Sequence, residues 1–207
     1  MGTIFFASVD LTDSGGQMDT GPSNVAGGHD MWQLDTWQSV DTGHPVPQTE
    51  DTGNATRTRL REIRIGQHSD AGDAAAELLG VRIIRYRQVR GKDTGAGTSA
   101  NGGQRVVPVP KDAWIDTGSR AICTVKVAND RLAQDTGATV GSTAFTIREE
   151  IVLSDVWNIA AGWWYYPPEE EMLTLEPGDR MVVRLSAAAD PLTLKGTLVY
   201  EEGADIL

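Results

Sequence analysis

Six Asp-Thr-Gly triplets, beginning at Asp19, Asp41, Asp51, Asp93, Asp116 and Asp135, are the first residues of this 207-residue chain whose types and order could do chemistry. In aspartic proteases two such aspartates share one proton and activate a water between their carboxyl groups. Trp114-Ile115-Asp116-Thr117-Gly118-Ser119 comes nearest, because apolar residues precede the triplet, and Asp116 could supply one carboxylate of a homodimeric pair. That chemistry also needs a later apolar pair followed by Gly and a short helix, and the chain offers no convincing copy. Six copies far exceed chance, and Asp and Gly are turn formers, so the triplets read as loop punctuation between strands.

Other reactive types are sparse. The 3 histidines, His29, His44 and His68, all precede residue 69, whereas a metal-holding cupin needs a His-x-His pair and a later His on core strands. Cys123 stands alone, which excludes an intrachain disulfide and any cysteine cluster for zinc or iron–sulfur. Glu169-Glu170-Glu171, after Pro167-Pro168, could suggest the paired carboxylates of glycoside hydrolysis. Adjacent residues at a strand start point in alternating directions, so a charged solubilising edge is the simpler reading. We therefore expect no catalytic residues, no metal and no cofactor, and a chain that is not an enzyme.

A run of rings says more. Trp157, Trp163, Trp164, Tyr165 and Tyr166 fall close together, and rings with polar handles occur in cores, at subunit interfaces and on carbohydrate platforms. All three uses stay open here. With Phe5, Phe6, Trp32 and Trp37 as anchors near the N-terminus, the candidate interface is Phe5, Phe6, Trp32, Trp37, Trp163, Trp164, Tyr165 and Tyr166.

Charge sorts the possible partners. The net charge is −11, yet residues 1–56 hold 8 acids and no Lys or Arg, while residues 57–92 hold 9 bases against 4 acids. Residues 149–207 hold 12 acids against 3 bases. A surface for nucleic acid must displace counterions with net positive charge, so direct nucleic-acid binding is not expected. The basic segment Arg57, Arg59, Arg61, Arg64, Arg82, Arg85, Arg87 and Arg90 reads as strand residues pairing with acids on neighbouring strands, or as a grip for an acidic protein. No apolar run approaches the roughly 20 residues of a membrane helix, and the start lacks a signal peptide's basic flank, so a soluble chain with no membrane partner is expected.

The elements that must position these residues are mostly strands. Leu60 to Ile65, Val81 to Val89, Arg120 to Ala128, Ala144 to Leu153, Met172 to Leu175, Arg180 to Leu185 and Leu192 to Tyr200 carry β-branched or alternating apolar residues. Only Asp73 to Leu79 reads as helical, capped by Asp70 or Asp73 and stopped by Gly80. Glu176-Pro177-Gly178-Asp179 has the chemistry of a type II turn joining two antiparallel strands, and Pro108 and Pro110 confine their strand to an edge. Residues 1–56, with 8 Gly, 3 Pro and no more than one strand, Ile4 to Val9, are expected to form an extended arm, ordered by a neighbouring chain or folded back on its own domain, and 57–207 the body. The fold class expected is all-β: a β-sandwich or jelly roll with one short helix and a long N-terminal arm.

Parts of the chain are similar to a known kind of protein. Arg148-Glu149-Glu150-Ile151-Val152-Leu153, Val156-Trp157-Asn158-Ile159 with Gly162-Trp163, Tyr166-Pro167-Pro168-Glu169-Glu170, Leu175-Glu176-Pro177-Gly178-Asp179, Val183-Arg184-Leu185 and Gly196-Thr197-Leu198-Val199-Tyr200-Glu201-Glu202 resemble the end of β-sandwich structural proteins encoded in tailed-phage head regions. Arg59-Leu60-Arg61-Glu62-Ile63 through Asp70-Ala71-Gly72-Asp73-Ala74 resembles their opening. The resemblance implies a capsid decoration, or cement, protein: a homotrimer on the virion exterior that contacts the major capsid protein, bridges capsomers and carries no catalytic residues. The alternative is a carbohydrate- or receptor-binding module of a phage head fibre or tail.

Overall fold

A computed structural model describes residues 2–10, 29–36, 55–67, 78–87, 104–106, 108–111, 121–127, 138–140, 143–145, 149–158, 160–186 and 194–203. In chain order the strands are β1 (Thr3–Asp10), β2 (His29–Asp35), β3 (Thr58–Gln67), β4 (Leu78–Tyr86), β5 (Gln104–Val106), β6 (Val109–Pro110) and β7 (Thr124–Val127). Then come β8 (Ala138–Val140), β9 (Thr143–Phe145), β10 (Glu149–Asn158), β11 (Trp163–Tyr165), β12 (Thr174–Leu175), β13 (Arg180–Leu185) and β14 (Leu194–Glu202). A single 3-10 turn covers Glu169–Glu171, and the described residues contain no α-helix. None of their helices is long and apolar enough to cross a membrane.

The strands form two antiparallel sheets and a small ribbon. The first sheet runs β11-β3-β14-β1-β6, with β12 also on β3; the second runs β10-β4-β13-β2-β7-β5; β8 pairs only with β9. Alternation decides which side of each strand is buried. In the first sheet Phe5, Ala7, Leu60, Ile63, Ile65, Leu198 and Tyr200 are buried, and in the second Met31, Leu34, Leu79, Val81, Ile83, Met181 and Val183, all in one hydrophobic cluster. Trp32 bridges the two sheets: its ring lies over Gly196, where no side chain stands in the way. The all-β class agrees with expectation.

The described stretches of residues 1–56 include two strands of the body's sheets rather than a separate arm. Thr3–Asp10 pairs along its whole length with β14, and His29–Asp35 lies between β13 and β7. The strand read over Ile4 to Val9 is β1, with Phe5 and Ala7 buried, while glycine and proline averaged over 56 residues hid β2, whose Met31 and Leu34 sit three apart. The remaining residues of that segment, Trp37 among them, lie outside the described ones.

The helix expected over Asp73 to Leu79 lies outside the described residues as far as residue 77. Its last two residues open β4, where Leu79, Val81 and Ile83 alternate into the core. Gly80, read as a helix stop, is a strand residue whose N–H donates to the Ser186 hydroxyl at 2.8 Å. The turn at Glu176–Asp179 forms as its residues dictate: Gly178 has φ 98° and Asp179 N–H donates to the Glu176 carbonyl at 2.9 Å. It is not a hairpin, however, because β12 belongs to the first sheet and β13 to the second. Buried Thr36 holds this corner, accepting from Gly178 N–H at 2.8 Å and donating to the Asp179 carbonyl at 2.9 Å.

Candidate interaction surface at the β10–β11 flank

One flank of the molecule is made by the outermost strands β10 and β11, one from each sheet. β10 lies along β4 with a register shift between Ile151 and Leu153. The extra residue, Val152, resets the alternation. Ile151 stands opposite Ile84 on the outer side before the shift; beyond it Leu153 faces Ile83 and the core, and Val156 returns to the outer side opposite Gly80. Ile151 is 53% exposed and Val156 60%, with Leu78 and Val152 exposed beside them. Elsewhere on that outer side Ile84, Tyr86 and Val182 are buried in a small cluster with Ala55.

On β11 neighbouring rings point opposite ways. Trp163 turns inward: its indole N–H donates to Asp155 Oδ2 at 3.0 Å, tying the two sheet edges together, and it stacks with Tyr165 at 6.4 Å between centroids. That hydrogen bond first, and the Val156 N–H second, hold the Asp155 carboxyl below its ordinary range. Trp164 turns outward opposite Arg64, whose guanidinium lies 4.9 Å from its ring centroid. Its indole N–H donates to Glu62, which also pairs with Arg64. Trp164 is 63% and Tyr166 69% exposed, with ring centroids 6.4 Å apart and planes tilted by 45°.

Registers extend this patch across the first sheet's outer side. One row runs Val109, Phe6, Val199, Glu62; the next runs Ser8, Thr197, Arg64, Trp164. Of the seven large apolar side chains exposed among the described residues, Leu78, Ile151, Val152, Val156, Trp164 and Tyr166 lie on the β10–β11 flank or beside it; Val109 is the seventh.

The basic segment is largely neutralised within the chain. Arg57 pairs with Glu176 at 2.8 Å, Arg59 with Glu169 at 3.3 Å, Arg61 with Glu201, and Arg85 and Arg87 with Glu150 at 2.7 and 2.9 Å. Arg87 and then Arg85 hold the Glu150 carboxyl down to about 2. Among the described residues no group of three or more His, Cys, Asp or Glu is placed to hold a metal ion. The buried Cys123 thiol is pushed well up, chiefly by burial and then by Glu202. Glu202 is itself raised by burial although it accepts the backbone N–H groups of Ile122 and Cys123 at 2.9 and 2.8 Å.

The eight rings singled out in the sequence therefore separate. Phe5, Trp32 and Trp163 are core residues, Phe6 and Tyr165 are half-buried, and Trp164 and Tyr166 form an exposed pair. Trp37 and all six Asp-Thr-Gly triplets lie outside the described residues. Sequence reasoning missed Leu78, Ile151, Val152 and Val156. The available signal was Ile151-Val152-Leu153, an unalternated apolar run inside an acidic strand. Comparison of the chain with protein-family models, with curated proteins and with solved structures finds no match.

Proposed function

We propose that this protein is a structural virion protein, a capsid decoration or cement protein that works by surface contact on the capsid exterior. The body is read as a jelly roll. What supports this is the order β1-β14-β3-β11 in one sheet and β2-β13-β4-β10 in the other, the strand arrangement of two nested Greek keys with β5 to β9 inserted. That architecture serves viral capsids and lectins alike, so fold alone does not choose between them.

The observation that carries the choice is the gathering of exposed apolar side chains beside one flank, in two patches on the outer sides of the two sheets. Patches of this kind, rimmed by ion pairs, mark surfaces that another protein covers. The partner proposed is the major capsid protein, with homotrimers bridging capsomers; an acidic chain suits the outside of a DNA-filled shell.

The test is binding of the purified chain to shells assembled without it. Decorated shells should withstand a higher temperature before rupture, and Trp164→Ala with Tyr166→Ala should weaken binding by at least about tenfold. Rupture at the same temperature with and without bound chain overturns the proposal.

A second reading rests on one feature, the Trp164–Tyr166 pair with Arg64 and Glu62 beside it. Exposed rings flanked by hydrogen-bonding groups stack on sugars, so a carbohydrate-binding module follows if host glycans quench tryptophan fluorescence in the parent and not in Trp164→Phe. A glycan panel without response removes it.

A further inference from the structure

We infer that β10 pairs with β10 of a second copy of this chain, antiparallel about a two-fold axis at Ser154, joining two six-stranded sheets into one. The inference uses the β10 side of the flank on which the capsid reading also rests, whereas the capsid test perturbs Trp164 and Tyr166 on the β11 side, so the two can fail separately.

Among the described residues the edge is open, and it is long. β10 has ten residues, no Pro, Gly or Lys, and β4 on one side only. Natural edges are ordinarily blunted by short length, proline, charged side chains or a bulge. β10 has the bulge at Val152 and three acids, yet it keeps ten residues without proline or lysine, and an edge of that length is a template for pairing. At the opposite edges β5 has three residues and β6 two, one of them Pro110. The apolar residues Ile151 and Val156 lie outward on β10, where a single copy leaves them in water.

The strand is its own complement. Nine of its residues pair with β4, from Glu149 to Asn158, and the bulged Val152 is skipped. Folding those nine positions about Ser154 sets Ile151 opposite Val156 of the second copy, Leu153 opposite Asp155, Glu150 opposite Trp157 and Glu149 opposite Asn158. No two acids stand directly opposite, which would be destabilising, and the Ile–Val pair occurs twice by symmetry. The residue that must meet itself at the axis is the small Ser154.

The acids are also partly spent before the copies meet. Arg85 and Arg87 hold Glu150, and Trp163 holds Asp155. Asp155 Oδ1 additionally accepts the Val156 N–H at 2.8 Å, so in the single copy a side chain occupies a backbone donor of the edge strand. A foreign strand would have to supply this matching pattern of apolar and neutral residues. A second copy brings it already.

The experiment uses the full chain with Ser154→Cys. Cys123 is buried, so Cys introduced at the axis is the reactive thiol among the described residues. Cross-strand partners in a hydrogen-bonded pair stand about 5.5 Å apart between Cα atoms, within disulfide range. Mild oxidation should give a disulfide-linked dimer on a non-reducing gel, while Glu170→Cys, exposed on the 3-10 turn and not on β10, should stay largely unlinked at the same concentration. Adding Val156→Lys to Ser154→Cys should slow dimer formation roughly fivefold or more, since both symmetric apolar pairs are lost. Linkage through residue 154 no faster than through residue 170, or unaltered by Val156→Lys, overturns the inference.

Discussion

Gly196→Ala probes the place where the two sheets meet. A Cβ added at residue 196 would stand 2.9 Å from Trp32 Cζ2, and closer still to Cη2 and to the Arg64 carbonyl on the neighbouring strand. Carbon pairs are comfortable only at about 3.5–4.0 Å, and Trp32 is wholly buried, so its ring must retreat about 1 Å against packed neighbours or β14 must part from β3. Overpacking of this kind costs about 1–3 kcal/mol. Because a backbone carbonyl obstructs as well as a ring, we expect the upper end, about 3 kcal/mol, or a fall in Tm of roughly 6–12 °C. Urea denaturation followed by fluorescence and circular dichroism measures it. Trp32→Phe removes the ring atoms in the way; alone it opens a cavity costing about 2 kcal/mol, but combined with Gly196→Ala it should cost at least about 1 kcal/mol less. If Gly196→Ala lies within about 0.5 kcal/mol of the parent, or the two changes simply add, the sheets do not meet through this contact.

Three further perturbations test other parts of the molecule. Thr36→Val strands the buried Gly178 N–H and should cost about 1–3 kcal/mol in chemical denaturation, whereas Thr36→Ser keeps the hydroxyl; equal losses would dismiss the clamp. The Cys123 thiol, buried and with its ionisation pushed up, should react with a disulfide reagent only as fast as the protein opens, and immediate stoichiometric labelling in native buffer would contradict its placement. Glu150 sits at about 2 when folded against about 4.3 when unfolded, so its stabilisation is present above the unfolded value and lost as pH falls toward 2. The urea midpoints of the parent and Glu150→Gln should therefore converge between about pH 5 and pH 2, and a constant gap would refute the pairing with Arg85 and Arg87.

What the sequence discloses depends on how local the governing physics is. Arg180–Leu185 is found at its expected bounds because a run of mostly apolar residues, Met181 to Leu185, all of them buried, follows directly on a turn and leaves no other reading. Gly178 adopts its positive φ because no residue with a side chain does so at low cost, and β6 lies at an edge because Pro110 cannot donate to a second neighbour. Non-local partners are different. Nothing in Phe5 or Trp32 says that the surface covering it comes from the same chain, so reading them as anchors for a neighbour was as permissible as reading them as core. The stretch Ala144 to Leu153, read as one strand, contains the end of β9 and the first half of β10, and the bulge that turns Val156 outward depends on β4 across the ladder. The exposed apolar flank was invisible for the same reason: exposure is a property of which strand ends the sheet.

The way the sheets end bears on the bridging role proposed above. At one flank the inserted strands β5, β6 and β7 widen both sheets beyond β1 and β2 and finish in two- or three-residue strands, poor platforms for pairing. At the other flank the Trp163–Asp155 hydrogen bond fixes β11 to β10, and the alternation on each strand then leaves no freedom. Trp164 and Tyr166 must face outward from the first sheet, and Ile151 and Val156 outward from the second. The two patches thus look in opposite directions from a shared edge, so one flat partner cannot cover both. Two partners can, and a body that offers separate contacts to two neighbours gains by multivalency what neither patch supplies alone. Bridging then requires no enlarged core and no catalytic group, only that the one hydrogen-bonded corner keep both strands in register.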